Sequence, residues 1–176
     1  MTSHALQPHP AVVSPPGLQI RFGCTQLADS SLSLRYQLSG KLAALRLPAP
    51  LASPGPADGL WQHSCCELFL AEEGSAYREF NFAPSGEWAA YAFADYRQRR
   101  DWTPAAAPLI STHTDGDIFE LQVTLPAALL PAAERCAMSA TAVIETHASE
   151  LSYWALAHAG ERPDFHRRES FVLSLP

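Results

Sequence analysis

The sequence predicts an all-β protein, an antiparallel β-sandwich or barrel of about ten strands with minimal helix. Three observations predict it. Short runs in which apolar and polar residues alternate with period two recur along most of the chain. Gly, Pro, Asp and Ser clusters punctuate them as turn signals. The stretches between runs lack the helical patterns of roughly 10–15 residues that an α/β fold would insert between strands.

Residues 1–16 carry Pro8, Pro10, Pro15 and Pro16 without periodicity, and read as a loose leader before a single domain over 17–176. The first run is 18–23. The second, 31–40, puts Leu32, Leu34, Tyr36 and Leu38 on one face and Ser31, Ser33, Arg35 and Gln37 on the other. A Pro-rich passage over 48–59 reads as a surface loop. Runs at 63–70, 77–82 and 87–93 follow, joined by the hairpin loops 71–76 and 83–87, and form a meander. Later runs occupy 108–114, 118–125, 138–146, 151–158 and 170–175. A single helical turn is expected at 126–134, where Pro126 suits a first helical position.

With 47% apolar and 17% charged residues in 176, the chain has the composition of a globular domain able to bury a core. Twelve Lys and Arg against eighteen Asp and Glu give a net charge of -6, and no basic stripe is present, so nucleic acid is not an expected partner. No run approaches the ~20 apolar residues of a membrane-spanning helix. The first residues lack the pattern of a signal peptide, so a cytoplasmic location is expected. The four cysteines, Cys24, Cys65, Cys66 and Cys136, have no Cys-x-x-Cys spacing and read as buried, reduced thiols.

Chemistry concentrates in the meander. Side-chain parity assigns Cys66, Leu68, Leu70, Phe80, Phe82, Tyr91 and Phe93 to the core. Cys65, Glu67, Phe69, Tyr77, Glu79, Asn81, Trp88, Ala90 and Ala92 fall on the reverse face, with Glu67 and Glu79 as candidate cross-strand neighbours. Ala90 and Ala92 would leave a depression beside the Trp88 indole. In the later hairpin, Glu145 and Tyr153 would bring a carboxylate and a phenol to the same hollow. Carboxylates, an amide and flat rings around a hollow suit a sugar, whose hydroxyls seek charge-assisted hydrogen bonds while its apolar face stacks on aromatic rings. No cofactor is expected. A metal site built from His158, Asp164 and His166 matches no standard spacing, and the "PDFH" stretch, 163–166, reads as a structural clasp.

The strings "GLWQHSCCELFL", "YREFNFAPSGEWAAYAFADYR", "AVIE", "SYWALAH" and "PDFH" resemble the DOMON-like proteins of bacteria, relatives of family 9 carbohydrate-binding modules. The resemblance runs from about Trp61 to Phe171 and is most specific around 81–86. It implies a jelly-roll-like β-sandwich whose concave sheet holds a sugar or a haem. By position it implies an aromatic platform of Trp88 with Trp61, and polar contacts from Glu67, Glu79 and Asn81. The first expectation is therefore a non-catalytic, small-molecule binding module, with a carbohydrate as ligand. Two alternatives stay open. A haem would need axial ligands, and Met138 is the only internal methionine, with no His evidently opposite it. A glycosidase would need Glu67 and Glu79 to act as a pair.

Overall fold

The computed structural model describes residues 2–132 and 136–175. Twelve strands run in chain order: β1 Ser3–Pro8, β2 Gln19–Gln26, β3 Leu32–Ser39, β4 Cys65–Ala71, β5 Tyr77–Phe82, β6 Trp88–Asp95, β7 Gln98–Arg100, β8 Leu109–Asp115, β9 Ile118–Leu125, β10 Ala137–Glu145, β11 Leu151–Ala155 and β12 Leu173–Ser174. Helical geometry among the described residues is confined to short 3-10 turns, including Leu60–Gln62 and Ala127–Leu129. Pro126 precedes the second of these as its cap, and residues 133 and 134 of the helical turn expected over 126–134 lie outside the described residues.

Among the described residues every pairing between these strands is antiparallel. One layer orders β1-β2-β3-β9-β8 and the other β7-β6-β5-β4-β10-β11, with β12 beside β10. The expected leader is corrected here: Ser3–Pro8 form a strand that joins both layers. Its first half pairs with β2 (Leu6 opposite Ile20), and its end pairs with β11 (Gln7 opposite Ala155). Only Leu6 of this strand is buried, so the run offers almost no apolar alternation to read.

The core lies between the layers. In the first layer Ile20, Phe22, Leu34, Tyr36, Leu121 and Val123 point inward, and the outer face is polar, as antiparallel sheets commonly are. Leu68, Leu70, Phe80, Phe82, Ala140 and Ala142 answer them from the second layer. Tyr36 spans the core and donates its hydroxyl to the Glu67 carbonyl oxygen at 2.6 Å, which satisfies that hydroxyl in an apolar interior.

The second layer departs from the one-sided pattern. Every residue of β4 is buried, as is nearly every residue of β10. Its outer face is therefore covered as well, by Phe165, His166 and Phe171 packed on Phe69 and by Trp61 beside Tyr91. That cover leaves a hollow.

Candidate functional site

Register decides which side chains reach the outer face of the second layer, because directly opposed residues share a face. Across β10, β4, β5 and β6 one row reads Thr141, Glu67, Asn81, Ala89, and the next reads Ser139, Phe69, Glu79, Tyr91. A third row sets Ala71, Tyr77, Phe93 and Arg99 side by side. Glu67 and Glu79 are thus diagonal neighbours, with Asn81 and Phe69 as their direct partners.

The expected parity of β6 is corrected by the same register. Phe82 lies opposite Trp88 and Phe80 opposite Ala90, so Trp88, Ala90 and Ala92 share the core face. Trp88 is half-buried against the core, and its backbone bonds to Gly55 and Ala57 of the Pro-rich loop. Tyr91 and Phe93, which side-chain parity assigns to the core, face outward into the site region. The five-residue connection 83–87, closed by a bond from the Ala83 amide to the Glu87 carbonyl, fixes this parity. Trp88 forms no part of the hollow.

The hollow has a volume of about 510 Å³. Its floor is Glu67, Phe69, Glu79 and Val143, its walls include Tyr153, Phe93 and Trp61, and Pro163 to His166 roof one side. Trp61, on the 3-10 turn Leu60–Gln62, is 37% exposed and meets Tyr91 edge-on at 5.8 Å. Its indole is available to a ligand. The Tyr91 hydroxyl bonds to Asp58.

Two carboxyls sit at the floor in unequal settings. Glu67 is 2% exposed and accepts the Thr141 hydroxyl at 2.9 Å. Burial, reinforced by the Glu79 charge, pushes it up to about 8, so the acid form dominates at neutral pH. Burial also raises Glu79, but the Asn81 amide, donating to its Oε1 at 2.7 Å, and the nearby Arg99 and Arg97 charges pull the other way. Asn81 itself is fully buried, so it holds Glu79 in place from behind rather than lining the cavity.

The roof is built by the sequence 163–166. Asp164 accepts the Tyr96 hydroxyl at 2.6 Å, Arg97 at 3.0 Å and the His166 amide at 3.2 Å. Phe165 packs edge-on against Phe69 and Tyr153. The Tyr77 hydroxyl accepts the Arg97 amide at 3.1 Å and lies 2.7 Å from His166 Nδ1. With the Tyr77 proton donated to Nδ1, the imidazole proton sits on Nε2, 3.8 Å from Glu79 Oε2. Burial, with the Arg97 charge, lowers His166 to about 4, so this contact joins a neutral ring to Glu79 and is not an ion pair at neutral pH. His158, by contrast, donates to the Gln7 carbonyl at 2.8 Å. The three donors once considered together are thus spent on separate partners, and no metal-holding cluster occurs among the described residues.

Glu145 lies elsewhere. It is held by His63 at 2.9 Å and Arg46 at 3.1 Å, and it lines a second hollow of about 600 Å³ that shares Trp61 and Gln62 with the first. Met138 lies opposite Leu70 and Leu173 on the core face, turned away from both hollows. Sequence reasoning missed Tyr91, Phe93, Arg97, Arg99 and His166 as members of the site. Only the last carried a signal, as part of the clasp.

No protein-family model and no curated protein sequence matches the chain. Solved structures do. A "putative carbohydrate-binding protein" from Bacteroides uniformis superposes with a TM-score of 0.67 at 15% identity, over 97% of this chain and 84% of that one. A family 9 carbohydrate-binding module from Caldicellulosiruptor kristjanssonii in complex with glucose gives 0.61 at 8% identity, over 98% and 83%. A cellotriose complex of such a module from the same organism gives 0.57 at 9% identity, over 87% and 72%. At these identities the likeness is one of fold.

Proposed function

We propose that the hollow binds a carbohydrate and that the protein is a non-catalytic binding module, in keeping with the DOMON-like resemblance of residues 61–171. The observation that carries this reading is the pairing, in one cavity, of two floor carboxyls with an exposed indole and further aromatic walls. A buried carboxyl and its neighbour offer a donor and acceptors to ring hydroxyls, and the indole and phenol offer flat surface to the apolar face of a pyranose. The volume falls within the usual range for small-molecule sites, ~300–1,000 Å³. The fold shared with sugar-bound structures is consistent with this assignment.

Hydrolysis fits the site less well. A glycosidase separates the roles of its carboxyls by pushing one up and keeping the other ionised, whereas burial here raises both Glu67 and Glu79. A thermal-shift screen of neutral and acidic sugars tests the proposal, since a ligand of the native state raises the melting temperature. A hit that Trp61→Ala abolishes supports it. A screen in which no sugar moves the midpoint overturns it.

A further inference from the structure

One cation on the rim of the hollow makes no salt bridge among the described residues. Two arginines line the hollow. Arg97 is already neutralised, since its guanidinium bonds Asp164 at 3.0 Å. Arg99 is different. It lies beside Phe93 in the edge strand β7, and its guanidinium stacks over the Tyr91 ring at 3.8 Å from the centroid. That stacking holds a side chain that would otherwise sample many rotamers, and it leaves the planar edge of the fork free to donate. Among the described residues no carboxylate comes within 4.0 Å of it. Its charge reaches Glu79 only through space, and that carboxyl is held by the Asn81 amide at 2.7 Å.

We infer that the sugar this hollow accepts carries an anionic substituent, a carboxylate or a phosphate, and that Arg99 is the residue that selects it. The inference rests on the sugar reading above and adds the class of sugar. A ring seated on the floor places its hydroxyls at Glu67 and Glu79 and its flat face along Trp61. Its charged substituent then points to the rim, where the guanidinium fork matches the geometry of two anionic oxygens. A neutral sugar leaves that fork solvated and gains nothing from it.

Calorimetric titration of the full chain with glucose, galactose, glucuronate, galacturonate and glucose 6-phosphate tests the assignment, in wild type and in Arg99→Gln. The expected result is an acidic-to-neutral affinity ratio of about tenfold or more in wild type, collapsing toward one in Arg99→Gln. Preference for the uronates alone identifies a carboxylate, and preference for the phosphate alone identifies a phosphate ester. If neutral sugars bind as tightly as acidic ones, or the preference survives in Arg99→Gln, Arg99 is only a solvated rim cation and the inference falls while the sugar reading stands. If none of the five binds and the wider screen is also silent, the sugar reading falls and takes this inference with it.

Discussion

Replacing Glu67 with Gln should make the protein more stable at pH 8 and change it little at pH 5. In the folded chain the carboxyl titrates near 8, against 4.5 when unperturbed. Between those values the folded state keeps a proton that the unfolded state has released, so stability falls as pH rises, by up to ~1.4 kcal/mol per pH unit. The contribution is fully present below about 4.5, declines through the window and is exhausted above about 8. His166 has the opposite sign: lowered to about 4, it loses stability as pH falls through the interval from 6.5 to 4. The two slopes oppose each other below 6.5; above it His166 no longer contributes, and the difference in slope between wild type and Glu67→Gln reads Glu67 against a Glu79 that burial also raises. Between pH 6.5 and pH 8 the wild type should lose roughly 1.5 kcal/mol through Glu67. Glutamine keeps the oxygen that accepts the Thr141 hydroxyl and has no proton to lose, so Glu67→Gln should flatten the slope. Urea unfolding at pH 5, 6.5 and 8, followed by tryptophan fluorescence, measures it. Equal slopes in wild type and variant would refute the claim that Glu67 is a protonated floor group.

Trp61→Ala should weaken sugar binding about tenfold or more, with a change of roughly 1 kcal/mol or less in stability, because the indole is over a third exposed and lies outside the core; paired calorimetry and urea midpoints check this. Trp88→Ala should do the reverse, costing roughly 2–3 kcal/mol through lost packing while leaving affinity unchanged. Tyr77→Phe removes the hydroxyl that serves both His166 and the Arg97 amide, at a cost of about 1–3 kcal/mol, and hydrogen exchange should speed up in the roof at 160–167. Unchanged exchange there would mean the roof is held by Asp164 alone.

Alternation was legible wherever one face of a strand packs and the other is solvated. The strand Leu32–Ser39 is the clean case, with buried and half-buried residues in strict turn. The second layer is buried on both faces, so the period-two signal that distinguishes a core face from a site face is lost there. In β4 the carboxylate betrayed the outer face; in β6 nothing did, and two large rings, Tyr91 and Phe93, looked more like core than did Ala90 and Ala92. Parity across the 83–87 turn depends on its closing hydrogen bonds, which composition does not encode. Arg99 was beyond reach for a different reason. Its place in the hollow depends on a three-residue edge strand that begins after a bulge between Phe93 and Asp95, and a run that short has no period to detect.

The strand β1 has a consequence for how the chain is made. One of its partners, Ala155 in β11, is synthesised only after β2 to β10 have been made. Until then, β2 can pair with β1 but the seam between the layers cannot close. During translation the nascent chain must therefore carry two open strand edges, which are templates for pairing with neighbouring chains. A variant lacking residues 3–8 would make that transient state permanent. Its failure would show as aggregation that slowing synthesis does not abolish, because the open edges persist in the finished chain.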